Sequence, residues 1–490
     1  MALWVGGNRW VLVLLVLLGG CAVQGYRGLP APDAVGAQAC QSTLQDWQHQ
    51  VMDSGAFEAK TTPVPGFPYL RVNRFLASFD LNRLNLAQRS EWLAVAWENA
   101  RHAWHLEAAN LGKPESDLAP LVTCAEAGLA TLRVDRTAFL AMASSVDVPD
   151  DYVTWQRAIG LYPLLIPYVK YRTDNLFDEL LTALDHYQPQ FPQVVYQPNL
   201  ESQYSDGQLA AVMEAARQRS ALAIPRFNSD ERARLFATFA PVWLVERRGE
   251  DDKIGVPARG EDGLVFEAQP VVYRILSYTR WGSLTLPQLT YLIWFPRRTA
   301  SGPRDILAGE LDGLIWRVTL NELGKPMLYD SIHPCGCFHL WFPVRGQLNP
   351  RPLDEISGER PAIGRSLPHE MRRPELSVAA GTHYLVGIRP WRQGDEHDAD
   401  HSAFAGQEYE WREYESLLTP SPAGYRLFSP SGLVEGTERP ERFLLWPMGV
   451  PSAGAMREWG HHATAFLGRR HFDDPNLLNR YFITPEQDAD

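Results

Sequence analysis

Leu289-Thr290-Tyr291-Leu292-Ile293-Trp294-Phe295 and Leu314-Ile315-Trp316-Arg317-Val318-Thr319-Leu320 decide the character of the C-terminal half. Both runs are short, branched and aromatic, which suits a pleated and largely buried strand better than a helix. Outward from them the same signature recurs in Pro241–Glu246, Val271–Tyr278 and Thr382–Ile388, each bounded by Gly, Pro or Asp. Asp312-Gly313 reads as a turn dipeptide feeding one of these strands, with Glu310 as ordinary turn polarity.

Before residue 240 the apolar period changes from two to three and four. Between Asn85 and Gly112, Leu86, Leu93, Trp97, Ala100, Trp104 and Leu111 form a helical stripe. Asn85 with Gln88 makes a capping box, and Gly112 is placed to end the helix. His102 and His105 share this helix with Glu98 and Glu107 and read as a solvated face. Further helices are expected at Asp174–His186, Asp206–Ala221 and Ser229–Thr238. Gly160–Val169, an apolar run carrying Pro163 and Pro167, is expected as a buried kinked segment. The expectation is an α+β protein, with a helical domain over 40–240 and a β-rich domain over 241–490.

The N-terminus has one cation, Arg9, followed by an uncharged apolar stretch from Trp10 to Leu18. That stretch is well short of the roughly 20 residues that cross a bilayer as a helix, so residues 1–20 read as a cleaved secretion signal. Leu18-Gly19-Gly20-Cys21 resembles the processing box of bacterial lipoproteins, a resemblance confined to about the first 21 residues. It implies that Cys21 becomes the acylated first residue and anchors the chain to a membrane. Ala22 stands where an aspartate commonly marks inner-membrane retention in that family, so the resemblance implies the outer membrane. Residues 21–39, with Gly25, Gly28, Pro30, Pro32 and Gly36, read as a tether.

A chain of 490 residues exceeds one comfortable core, and 45% hydrophobic with 21% charged residues fits a globular protein. Net charge is -12 and no cluster of Lys and Arg could neutralise a row of phosphates, which argues against nucleic acid as a partner. Sixteen Trp and eighteen Tyr supply core filling and, as an alternative, surface for a glycan or an envelope protein. In an oxidising compartment Cys40 and Cys124 could pair, closing a long loop at a gain on the order of 3 to 5 kcal/mol.

The chemistry-bearing segment is His333-Pro334-Cys335-Gly336-Cys337-Phe338-His339. Thiolates and imidazoles suit Cu or Zn far better than Mg or Ca. Fully extended, 333 and 339 would lie about 20 Å apart at the roughly 3.3 Å rise of a strand, too far for one ion to take all four donors. Pro334 and Gly336 favour a bend, so a knuckle of Cys335, Cys337 and one of His333 and His339 is the candidate metal site. Additional ligands are sought among His397, His401, His461 and His471, because nine of the thirteen histidines follow residue 331. His397 and His401 also read as an exposed acidic loop, and Asp330 is expected to orient His333. Cys-Gly-Cys departs from the two-to-four-residue spacing of structural zinc, and Phe338 breaks the haem attachment pattern. The same two cysteines could instead form a redox dithiol or pack as buried thiols.

Zincin, nucleophile-elbow, P-loop and EF-hand motifs are missing from the sequence, which disfavours those standard enzymes and sensors. The sequence therefore points to a membrane-anchored, periplasm-facing metal-binding lipoprotein, copper ahead of zinc. The alternatives are a non-catalytic envelope binding or scaffold lipoprotein and a thiol-disulfide oxidoreductase.

Overall fold

The computed structural model describes residues 34–199, 203–391 and 406–485; Cys21, His397 and His401 lie outside the described residues. The fold is α+β, with helices gathered at the N-terminal side and a large mixed sheet in the C-terminal half.

Helix Leu86–Asn110 follows from its sequence at both ends. The Asn85 side chain accepts from the Gln88 amide while the Gln88 side chain accepts from the Asn85 amide. At the other end Gly112 takes φ +65°, and the Gly112 and Lys113 amides donate to the carbonyls of Ala109 and Ala108, a Schellman stop. Trp92, Leu93, Ala96, Ala100 and Trp104 bury its inner face. They meet Leu44, Trp47, Leu121, Leu129 and Phe139 from the flanking helices, where each large side chain fully buried contributes about 2 to 3 kcal/mol. Cys40 and Cys124 form a disulfide with Cα atoms 5.3 Å apart, joining helix Ala34–Asp53 to helix Ala119–Val134. The first of these helices begins at Ala34, inside the stretch expected as tether. Glu107 lies in this core rather than on a solvated face: it takes a hydrogen bond from Trp47 and pairs with Arg71 at 2.5 Å.

The sheet has eleven strands. From one edge they run Ala362–Ile363, Leu340–Pro343, Pro326–Ile332, Gly309–Leu320, Leu284–Arg298 and Val271–Trp281. The order continues through Gln407–Glu413, Gln193–Pro198, Val242–Glu246, Pro374–Val378 and Leu385–Pro390. Strands 271–281, 284–298, 309–320, 326–332 and 340–343 are an antiparallel meander. Strand 407–413 closes the gap to the far half by pairing parallel with both 271–281 and 193–198. The strand Gln193–Pro198 comes from the region that reads as helical, and helices Asp206–Gln218 and Ser229–Phe239 pack Leu209, Met213, Phe236 and Phe239 against Trp243, Tyr291 and Trp316 of the sheet. The change of secondary structure near 240 thus falls inside one hydrophobic core, while the helices before residue 149 share another.

Two local expectations are corrected. Asp312 and Gly313 are not a turn: they sit within strand Gly309–Leu320, opposite Phe295 and Trp294, with Asp312 buried. Gly313 fits because a Cβ there would lie 2.7 Å from the Ile293 carbonyl and 2.9 Å from the Pro334 ring. Gly160–Val169 is not a buried kinked segment: Gly160 caps helix Thr154–Ile159, Leu161 turns the chain at φ +53°, and Tyr162–His186 is one helix with Pro163 in its first turn, Pro167 inside it and Thr173 as its first buried residue.

Candidate functional site

Strands Pro326–Ile332 and Leu340–Pro343 pair with Ser331 opposite Leu340, so the whole His333–His339 segment is the loop of one hairpin. The loop is a knuckle, as its proline and glycine lead one to expect. The Gly336 amide donates to the His333 carbonyl at 2.8 Å, and the His333 amide donates to the Cys337 carbonyl at 3.0 Å. Gly336 has φ +88°, and a Cβ there would stand 2.5 Å from the Ala463 carbonyl oxygen, so the C-terminal segment lies directly on the knuckle. The Arg457 amide adds a hydrogen bond to the Pro334 carbonyl at 2.9 Å.

Inside this turn the two sulfurs are neighbours. Cys335 is buried and Cys337 half-buried, and the Cys337 amide donates to the Cys335 sulfur at 3.4 Å. The hydrogen bond to Cys335, followed by burial, pushes the Cys337 thiol well above its ordinary range. Glu441 and Arg457 are the nearest opposed charges on the pair. Burial lifts the Glu441 carboxyl to about 7, and burial lowers Arg457 from its ordinary value against the pull of Asp151 and the two cysteines.

The histidines of the motif are turned elsewhere, each onto its own buried carboxylate. His333 Nδ1 lies 3.2 Å from Asp312 Oδ1 and His339 Nε2 lies 2.8 Å from Asp330 Oδ2. Asp330 therefore orients His339 rather than His333, and it is held by both sides of the Arg317 guanidinium at 2.9 and 2.5 Å. Asp312 also faces His383 Nδ1 at 2.9 Å, whose Nε2 is 3.5 Å from Asp252, giving a buried row Asp252, His383, Asp312, His333. Burial lowers His333 against the pull of Asp312. Burial works against charge on His383 as well, but Asp252 and Asp312 on either side outweigh it and raise the imidazole. Burial opposes ionisation of Asp312, but the imidazoles hold its carboxyl well below the usual carboxylate range. His339 is lowered to about 3 by burial, Asp330 opposing. His333 Nε2 and His339 Nδ1 are left without hydrogen bonds, as a carboxylate-oriented ligand would be. Even so, among the described residues no three His, Cys, Asp or Glu side chains are arranged to hold one metal ion.

His461 and His471 also find a carboxylate, the same one. His461 Nδ1 lies 2.8 Å from Asp151 Oδ1 and His471 Nε2 lies 3.1 Å from Asp151 Oδ2, with Arg74 Nη2 at 3.0 Å. The cluster clasps the C-terminal segment to the loop after the helical layer. Burial disfavours charge on His461, but Asp151, then Glu458 and the Ala59 carbonyl, raise it to about 9. A folded pKa above the unfolded value near 6.5 contributes stability that is complete below pH 6.5 and is lost as pH rises through 9. The wild type should therefore lose about 3 kcal/mol more than His461→Gln between pH 6.5 and 9.5, read by chemical denaturation at each pH. Glu458, which burial lifts to about 8 and the His461 charge draws down, titrates in the same interval, so the comparison is made in a Glu458→Gln background.

A cavity of about 250 Å³ opens between helix Leu86–Asn110 and strand Val271–Trp281. Trp459, Phe75 and Tyr278 contribute aromatic wall, with Asn73, Asn99 and Gln288 among its neutral polar groups. Asp473, which lines it, keeps one carboxylate oxygen buried and without a hydrogen bond. Asp252, Arg457 and this cavity are not found by sequence reasoning, which reaches His383 only as one of several spare imidazoles and Asp312 only as turn polarity.

No family model, curated protein or solved structure matches the chain.

Proposed function

We propose that this chain is a lipid-anchored, periplasm-facing envelope protein whose working part is a two-sulfur site, Cys335 and Cys337, that takes one Cu(I) ion. The observation that supports it is the closed knuckle, which brings the two sulfurs within hydrogen-bond reach of each other at a half-exposed position. Two closely spaced thiolates are a soft donor set, and a monovalent soft ion is satisfied by fewer donors than tetrahedral zinc needs. Copper is favoured over zinc because among the described residues no third His, Cys, Asp or Glu joins the two sulfurs, and tetrahedral zinc needs four donors. Anaerobic titration of the reduced protein against a chromophoric Cu(I) chelator should find one ion per chain, lost in Cys335→Ser and in Cys337→Ser and kept in His333→Gln. Copper uptake that survives both serine variants would sink the reading. Absence of uptake with a reversible loss of two hydrogens at this pair would assign the site to thiol-disulfide exchange instead.

A second reading, an envelope protein that holds one saccharide unit, is favoured by the cavity beside Trp459. Its size and its mixture of aromatic, neutral polar and charged lining, the last from Glu58, Lys60, Arg226 and Asp473, suit a small polar ligand bound by stacking and hydrogen bonds. Saturable quenching of tryptophan fluorescence by N-acetylglucosamine, abolished in Trp459→Ala, supports it; a flat titration removes it.

A further inference from the structure

Residues 154–173 contain Arg157, Lys170 and Arg172 and no acidic residue, in a chain whose net charge is -12; Lys170 pairs with Asp174 at 2.8 Å, Arg157 donates to the Met448 and Gly468 carbonyls, and Arg172 is exposed. Most of these twenty residues are exposed, with Tyr162, Leu165, Ile166 and Val169 half-buried. Helix Thr154–Ile159 has no buried residue, and helix Tyr162–His186 has none until Thr173, after which Phe177 and Leu180 enter the sheet core. Trp155 is 57% exposed, Leu164 73% and Tyr168 60%. Leu161, Leu164, Tyr168 and Tyr171 recur at three and four, so they form one stripe along the half-helix that stands off the body. The patch continues onto helix Glu441–Leu445: Trp155 packs edge-on against Trp446 at 5.6 Å, and Phe443 beside it is 74% exposed.

An apolar stripe of this extent on a soluble face marks a contact surface. Its composition selects the partner. Trp, Tyr and Leu on one face with Lys and Arg at the margin is the pattern of a helix lying in the plane of a bilayer interface, rings at headgroup depth and cations toward anionic phosphates. A second copy of the chain fits worse, because two-fold pairing would oppose the same three cations. Among the described residues no helix is long and apolar enough to cross a membrane, so the contact is lateral. The chain from Cys21 to Ala34 spans at most about 47 Å, which keeps the body within reach of the membrane that an acylated Cys21 would enter.

We propose that residues 154–173, with Phe443 and Leu444, are a membrane-surface contact that seats the folded body on an anionic phospholipid bilayer. The contact goes beyond the two-sulfur site and rests on the envelope-anchor half of the reading above. The test uses the chain from Ala22 onward, which keeps every described residue and carries no acyl group. It should co-sediment with vesicles of phosphatidylethanolamine and phosphatidylglycerol and not with phosphatidylcholine alone. Leu164→Ser with Tyr168→Ser, and separately Arg172→Glu, should each weaken partitioning about tenfold with unchanged circular dichroism and melting. No partitioning of the parent chain, partitioning unaffected by both variants, or a dimer that the serine variant dissolves would overturn the proposal. The acyl mass on Cys21 of the full-length chain is a separate readout, so loss of the anchor and loss of the contact are told apart.

Discussion

An Arg317→Met variant should be about 3 to 5 kcal/mol less stable than the wild type, because it leaves a carboxylate buried with no cation beside it. Arg317 and Asp330 face each other directly across neighbouring strands, and both are almost fully buried. The guanidinium meets the carboxylate with two nitrogens, donates a third hydrogen bond to the Phe472 carbonyl at 2.6 Å and lies 3.6 Å over the Phe472 ring. Lysine cannot reproduce that fork, so Arg317→Lys should recover little. The double variant Arg317→Met, Asp330→Leu should be milder than the single one, since it removes the orphaned charge along with its partner. A second readout separates this from simple loss of packing. His339 is neutral in the wild type because burial outweighs Asp330, with Arg317 opposing a positive imidazole. Without Arg317 the imidazole becomes the only cation source for Asp330, and its titration by NMR should move up toward the ordinary range. Stability within a unit of the wild type, or an unmoved His339, would mean that the carboxylate is not ionised in the fold.

That pair also explains which parts of the site could be read in advance. Arg317 lies in the middle of a run recognisable as a strand, and a cation there signals a buried anion somewhere across the sheet. The anion could not be located, because Pro326–Ile332 carries Asp330 and Ser331 where a strand signature wants apolar residues. Both polar side chains are buried, and the sheet tolerates them because the neighbouring strand supplies the guanidinium. Asp312 misleads for the same reason. Asp-Gly is turn chemistry in solution, but inside the sheet the carboxylate is satisfied by His333 and His383, residues 21 and 71 positions away.

Helix Leu86–Asn110 was legible to the residue because start, stripe and stop are all local. The order of the strands was not, since Gln407–Glu413 and Gln193–Pro198 join by parallel pairings that no short-range signal encodes. The knuckle at Gly336 was legible for a physical reason: proline and glycine restrict and release the backbone whatever surrounds them. The histidine partners were not, because an imidazole four residues from a thiol answers equally to a metal or to a carboxylate brought in by the fold. Gly160–Val169 failed differently. Its apolar composition demands cover, and the body of the protein covers only one side of the half-helix, leaving Leu164 and Tyr168 exposed.

Breaking the Cys40–Cys124 link should have the other large effect. The bond joins residues 84 apart, and closing a loop of that length removes about 4 to 5 kcal/mol of chain entropy from the unfolded state in the loop-entropy model. The cost of Cys124→Ser should fall on the helical layer, which helix Ala34–Asp53 meets through Leu44, Trp47, Val51 and the disulfide. Glu107 gives that layer a further weakness. Its carboxylate is buried between Trp47 and Arg71, so undocking the first helix removes one of its hydrogen bonds and opens the pair to water. The expected result is an earlier transition for residues before 149, followed by hydrogen exchange, with the sheet core protected to higher denaturant. The dithiol at Cys335 and Cys337 gives the internal control, because it lies on the sheet and closes no loop. Cys335→Ser with Cys337→Ser should leave the helical transition where it is, whereas mild reduction of the wild type should reproduce Cys124→Ser. A single cooperative transition shifted equally in both halves would instead show that the two cores unfold as one unit, and that the disulfide stabilises the sheet through the Asp151 clasp.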